Sequence, residues 1–230
     1  MKPLDGRCSE TLARIGHAPP LTLRMVREDT PAQDRTKLES FVSDCFAARY
    51  GAHIRHFMPT LLGLEDAAGR LRATVGLRCA VSGPLFLERY LDRSVEHEIA
   101  AACGVLPQRE QVVEVGNLAA LGSGHARLLI VALTDLLVTE GFEWVVFTGT
   151  AEVLNSFRRL SLSPLTLGSA DPARMGDELA DWGSYYDSHP HVMAGNVRGG
   201  HERLASSGLF QRLGHHSFHG GCGAQDVAVA

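Results

Sequence analysis

The chain has 230 residues, 45% of them apolar and 21% charged, with a formal net charge of −4. That length fits one large domain or one domain with extensions, and the apolar share suffices for a packed core. The mildly acidic balance argues against a global basic field of the kind that draws nucleic acid or anionic lipid. The five cysteines, Cys8, Cys45, Cys79, Cys103 and Cys222, are odd in number and widely spaced. They fit a reduced, cytoplasmic protein better than a disulfide scaffold. Met1-Lys2 leads into a mixed polar stretch without an apolar signal core, and no window approaches 18 apolar residues. Neither secretion nor stable membrane insertion is expected.

Residues 1–20 read as a flexible leader ending in Pro19-Pro20. Residues 21–27 alternate as a strand. Asp29 or Thr30 with Pro31 starts a helix whose period runs over 35–49 and stops at Tyr50-Gly51. Residues 56–64 and 70–79 form a hairpin around Glu65 to Gly69. Residues 84–103 are helical in two pieces broken near 92–94, with Ser94 as an N-cap and Glu96 and Glu98 favourable in the first turn. Then come a strand at 111–118, a helix at 124–139, a strand at 144–147 and a helix at 151–160. Asp171-Pro172 opens a short helix, 182–187 is an aromatic loop, and 191–197 is a last strand. Residues 198–230 are a Gly/His-rich tail, expected to be partly disordered and most so past Gly214. The domain is thus bounded at 21–197. Strands first, then β-α-β-α, imply an α+β fold of three layers, α/β/α, with helices on both faces of a mixed sheet.

The segment 112–160 carries the chemistry. Glu114 stands among apolar neighbours in a strand expected to be central, where burial raises a carboxyl toward the range of a general base. A structural carboxylate paired with an arginine such as Arg78 is the alternative. Val115-Gly116-Asn117 reads as a bulge that exposes backbone N–H groups to a carbonyl oxygen, or as simple accommodation of twist. Gly122-Ser123-Gly124, followed by His125 and Ala126, opens a helix whose N-terminal amides suit a phosphate; a tight turn needing positive φ is the alternative. His215, His216, His219 and Cys222 lie in a glycine-rich tail without a scaffold and are assigned no metal.

The order strand–helix–hairpin–helix–strand–G-x-G–helix–strand–helix resembles the GNAT superfamily of N-acyltransferases. Their phosphate loop, Q/R-x-x-G-x-G/A, is similar to residues 119–124, except that Ala119 stands first. Their N-x-(aromatic)-x-x-L-G pattern is similar to residues 155–161, with Phe157 where many members carry a proton-donating tyrosine. The strings G-L-R-C-A (76–80), L-F-L-E-R-Y-L (85–91), V-E-V-G-N-L-A (113–119), F-T-G-T (147–150), A-D-P (170–172), W-G-S-Y-Y-D (182–187) and V-M-A-G-N-V (192–197) together resemble the thermostable haemolysin family.

That resemblance implies a GNAT-like, mostly antiparallel sheet with a splayed central strand pair, like that of acyl-homoserine-lactone synthases and N-acyl amino acid synthases. It implies transfer of an acyl group from an acyl-CoA or acyl carrier protein phosphopantetheine thioester to a small amine acceptor, without a metal. On this reading Glu114 is the base, Asn117 of the bulge serves the oxyanion, and Tyr185 gives the proton that Phe157 cannot. Val115, Leu118, Gly122, Ser123, Gly124, His125, Ala126 and Asn155 hold the donor. Arg78, Glu88, Phe57, Phe147, Thr148 and Trp182 line the substrate pocket. The bland counterparts are helix-surface charge for Glu88, loop capping for Asn155 and a packed lid for the aromatic loop. The family name also raises a membrane-active protein, but residues 129–137 are apolar nearly all round, which marks a buried helix. Ala119 and Phe157 raise a third reading, a catalytically inactive binding protein. The acceptor, the acyl length and the oligomeric state stay open, a homodimer being one expectation.

Overall fold

The computed structural model describes residues 11–27 and 30–218. Nine strands among them form one sheet: β1 (Thr11–Ile15), β2 (Leu21–Arg27), β3 (Thr60–Glu65), β4 (Leu71–Cys79), β5 (Val112–Ala120), β6 (Trp144–Gly149), β7 (Leu165–Ser169), β8 (His191–Asn196) and β9 (His216–Ser217). Their spatial order is β7-β8-β6-β5-β4-β3-β2-β1-β9. The β5/β6 pair is parallel and the other described pairs are antiparallel. The helices are α1 (Ala32–Tyr50), α2 (Val95–Cys103), α3 (Ser123–Thr139), α4 (Ala151–Arg159), α5 (Val197–Ser206) and α6 (Leu209–Arg212).

Strand period two divides the core between the two faces. Leu23, Met25, Leu62, Leu64, Val75, Leu77 and Val113 pack under α3, which buries Leu129, Val131, Ala132, Leu136 and Leu137. The intervening residues Val26 and Leu61 pack with Leu38 of α1 on the opposite face, joined by Leu71, which lies beyond a register shift between β3 and β4. Burial of α3 agrees with its surface being apolar nearly all round over residues 129–137. Among the described residues no helix is long and apolar enough to cross a membrane.

The domain reaches further than the 21–197 expected. Residues 11–15, assigned to the leader, form β1 against β2, with Ala13 and Ile15 buried. The expected last strand ends at Asn196 and Val197 opens α5; that helix and α6 take up most of 198–212, assigned to the tail, and His216–Ser217 pairs with β1 beyond Gly214. Helix α5 tolerates Gly199 and Gly200 because Asn196 caps it, accepting from the Gly199 N–H at 2.7 Å, and Leu204 is buried. The expectations for residues 1–10, for Asp29 and for 219–230 lie outside the described residues.

The hairpin's first strand starts at Thr60 rather than His56. Residues 52–59 are an irregular strap, tied by two hydrogen bonds to Asn117 and by Arg35, which donates to the Met58 and Pro59 carbonyls. The first piece of the 84–103 segment is a 3-10 turn, Phe86–Tyr90, followed by α2. Ser94 precedes α2, but its hydroxyl bonds His97 Nδ1 at 2.9 Å rather than a backbone amide.

Candidate active site

Strands β5 and β6 pair from Val112↔Trp144 to Val115↔Phe147 and then part. Beyond that point β5 stays with β4 and β6 stays with β8. A β-bulge accompanies the parting: Gly116 pairs with Gly76 and Ala119 with Thr74, so Asn117 and Leu118 together face Val75. Asn117 is held at φ +50°.

A cavity of about 180 Å³ occupies the gap and is lined by residues from both faces of the sheet. On the α3 side its walls are apolar: Val75, Leu129, Leu133, Val145, Phe147 and Phe157. Phe147 and Phe157 stack with ring centres 4.9 Å apart and planes 7° from parallel. On the α1 side the walls are aromatic and charged: Phe46, Tyr50, Phe86, Trp182 and Tyr185, with Arg78 and Glu114. Cross-strand partners share a face, so Arg78 and Glu114, paired in register, stand on the same side.

Glu114 is 3% exposed. Its Oε2 accepts from the Phe86 N–H and its Oε1 from the Leu87 N–H, each at 2.9 Å. Burial pushes its carboxyl above the ordinary range; the two amides and the charge of Arg78 pull the other way without cancelling it. A carboxylate has about four lone-pair sites, so two fixed amides orient Glu114 and leave it capacity to accept a proton.

Several expected residues meet here. Val115, Gly116, Asn117, Leu118, Phe57, Arg78, Phe147, Thr148, Trp182 and Tyr185 all line the cavity with Glu114. Asn117, however, spends its side chain on the strap: its Oδ1 accepts from the Met58 N–H at 2.8 Å and its Nδ2 donates to the His56 carbonyl at 3.3 Å. Tyr185 is packed against Phe46, Tyr50, Trp182 and Tyr186, and burial raises its phenol well above the usual range. A phenol that holds its proton so firmly is a wall residue and a poor acid toward a thiolate.

Other expected residues lie elsewhere. Gly122, Ser123 and Gly124 are exposed at the start of α3, with His125 and Ala126 half-buried in its first turn, and none of the five lines the cavity. Gly122 is extended at φ 173° and Gly124 is not left-handed, so neither glycine answers to a strained turn. A Cβ on Gly124 would meet open space. The first-turn amides of a helix lack intrahelical partners. Asn155 is exposed on α4, off the cavity, and accepts from Arg158 at 2.8 Å. Glu88 also leaves the pocket. Its carboxylate pairs with Arg109 at 2.9 Å and accepts from the Leu85 and Val95 amides, while Arg109 bonds Glu96 as well. Burial pushes Glu88 up, but these partners outweigh it and hold the carboxyl below its ordinary range.

Sequence reasoning missed the α3-side wall, the Phe46 and Tyr50 contribution of α1, and Arg55, Glu178 and Asp181 near the strap. The fused apolar run of α3 could have flagged the first. The others are brought in over long sequence separations, as in the Arg55–Asp181 ion pair at 2.9 Å.

Solved structures share the fold at low sequence identity. The CoA-dependent acyl-homoserine lactone synthase BjaI, solved with SAM and isopentyl-CoA, superposes with a TM-score of 0.56 at 14% identity, over 88% of this chain and 90% of its own. FeeM, an N-acyl amino acid synthase from uncultured soil microbes, gives 0.54 at 14% identity, over 88% of this chain and all (100%) of its own. The AHL synthase LasI gives 0.53 at 13% identity, over 82% and 91%. These likenesses establish a GNAT-like fold with a mostly antiparallel sheet. A search of curated protein sequences finds no match. The model of the family described as "Thermostable hemolysin" matches residues 28–201, most of the sequence, and this chain belongs to that family.

Proposed function

We propose that this protein is an N-acyltransferase that moves an acyl group from a carrier thioester, acyl-CoA or acyl carrier protein, to a small amine. One observation carries the reading: a cavity lined from both faces of the sheet where β5 and β6 part, apolar on one side, with a buried, oriented carboxylate on the other. The acyl chain lies in the α3-side chamber, burying its methylenes against Leu129, Leu133 and Phe157. The thioester carbonyl sits in the gap, beside the Gly116–Leu118 bulge that departs from the β4 register, and a bulge amide is the donor assigned to its oxygen. The amine arrives from the α1 side.

Glu114 takes one proton from the incoming ammonium. The free amine forms a bond to the thioester carbon, the C–S bond breaks, and the leaving thiolate takes the second amine proton. The products are an amide and a thiol, and the first proton passes from Glu114 to solvent. The first-turn amides of α3 hold a donor phosphate outside the cavity mouth. The reaction is assigned to the cytoplasm, where such carriers reside.

The test offers the full chain a series of acyl-CoA and acyl carrier protein donors with a panel of primary amines, measuring free thiol and amide mass together. Equal amounts of amide and thiol support the reading. No thioester consumed with any pair contradicts it.

A further inference from the structure

We infer that Arg109, a residue off the cavity, is a positioning residue for the base: it clamps the turn whose amides hold Glu114 in place. The inference rests on the acyl-transfer reading and deepens it, because it says what fixes the proton acceptor of that site. Glu114 meets the start of the 3-10 turn Phe86–Tyr90, where the Phe86 and Leu87 amides donate to its two oxygens. Hydrogen bonds within a 3-10 turn are poorly aligned, so such a turn takes its rigidity from what surrounds it. Arg109 supplies those surroundings. Its Nε donates to the Ala80 carbonyl and its Nη2 to the Gly83 carbonyl, each at 2.9 Å. Nη1 and Nη2 take the two oxygens of Glu88 at 2.9 and 3.0 Å, and Nη1 also takes Glu96 at 2.8 Å. A guanidinium has five N–H donors, and these bonds fill the fork.

Glu88 carries the grip onward. Its oxygens accept from the Leu85 N–H at 2.9 Å and the Val95 N–H at 3.2 Å. The consecutive amides of Leu85, Phe86 and Leu87 are thus divided between two carboxylates, Glu88 and Glu114, and the first of these is held by Arg109. Arg109 does not line the cavity, so it acts through the turn and not on substrate. Its loss has a direction. The two amides pull the Glu114 carboxyl down against burial; Arg78 of β4 also pulls it down, and the Glu88 charge pushes it up. Tyr90 and Tyr185 stay neutral, their phenols raised by burial. The strap and residues 172–182 add His53, Arg55, His56, Glu178 and Asp181 to the cavity wall, with Arg55 paired to Asp181 and Glu178 to Arg89. Without Arg109 the turn loosens, its amides hold the carboxylate less, and the Glu88 charge acts uncompensated. Each change moves the Glu114 carboxyl further up.

The test titrates the Glu114 carboxyl in the full chain by carbon-13 NMR of the glutamate side chains, its resonance assigned by absence in Glu114→Gln. The pH–rate profile of acyl transfer is read beside it. In Arg109→Met the midpoint should rise by about 0.5–1 pH unit, the worth of one weakened hydrogen bond to a charge. The limb of the rate profile should move with it, and kcat should fall about 10-fold or more with the donor's KM unchanged, as for a misplaced group. Arg109→Lys keeps the charge but not the planar fork; it should show a smaller rise, and it carries the test if the methionine variant does not fold. Leu204→Ala, which empties a buried site in α5, should lose stability and leave the midpoint in place. A midpoint unmoved in both Arg109 variants, with circular dichroism showing them folded, overturns the inference. So does an equal rise in Leu204→Ala, which would make the effect a general loosening. Absence of thioester turnover by the wild-type protein counts against acyl transfer itself, and the NMR midpoint then still decides whether Arg109 holds the carboxylate.

Discussion

Gly76 and Gly116 stand opposite each other across β4 and β5, and the side chain of Met58 lies over both. A Cβ at Gly76 would fall 2.5 Å from Met58 Cβ, whereas one at Gly116 would fall 2.5 Å from Met58 Cε. The first clash is with the root of the side chain, the second with its flexible end. Gly76→Ala must move the strap and is expected to cost about 1–3 kcal/mol; Gly116→Ala lets the methyl swing away and should cost less than about 1 kcal/mol. Met58→Ala should relieve the second and not the first. Thermal unfolding of the three single variants and the two glycine–Met58 double variants checks this asymmetry.

Asn117 fixes the same strap from beneath. Asn117→Ala removes both hydrogen bonds to residues 56 and 58 and places alanine at φ +50°, where asparagine is better tolerated. The expected loss is about 2 kcal/mol from the stranded amide and the strain together. Limited proteolysis should then cut within residues 52–59 before the rest of the chain.

Phe157 closes the α3-side chamber through its stack on Phe147. Phe157→Ala should cost about 2–3 kcal/mol, somewhat less than a fully buried ring. It should also shift the preferred donor toward longer acyl chains, read from competition between donors of different length.

Arg109 bridges Glu88 and Glu96. Arg109→Met leaves a half-buried and a buried carboxylate, Glu88 and Glu96, without their cation and should cost about 2 kcal/mol or more, below the ~3–5 kcal/mol of a fully buried pair because Arg109 is 30% exposed. Both carboxyls sit below their ordinary value of 4.5, so their contribution is present above that pH and is lost as pH falls through the lowered values. Urea unfolding from pH 6 to 3 should show a steeper acid loss in the wild-type protein than in Arg109→Met.

Glu114 has the opposite sign. Its carboxyl lies above 4.5, so its contribution to stability is present below that pH and is lost as pH rises through the raised value. As a base it must be ionised, and kcat/KM for acyl transfer should climb with pH along a limb above 4.5. Glu114→Gln should remove that limb and lower the rate about 10²–10⁴-fold. The pH–rate profiles of the two proteins check it.

Much of this arrangement was legible in the chain. The β5–α3–β6–α4 run follows from period, and Gly116 within a strand signalled the bulge and the close approach that Met58 makes. What escaped was set by distant pairing. Thr11–Ile15 is a five-residue strand that exists because β2 offers it an edge, and α5 holds two glycines through capping and the burial of Leu204. Glu88 looked like a pocket residue because its partner, Arg109, lies 21 positions away across a break in the helix pattern. The α1-side chamber joins Tyr50 to Tyr185, rings 5.3 Å apart and 135 positions apart in number (185 − 50), a contact that local pattern does not encode.

A structure of the full chain with a non-cleavable acyl-CoA thioether tests the central claim most directly. The account predicts the pantetheine arm threaded between residues 116–118 and 148–150, the acyl chain under α3, and a phosphate on the amides that open α3. Strands β5 and β6 closed on each other with the ligand bound elsewhere, or no binding at saturating thioether, would contradict it.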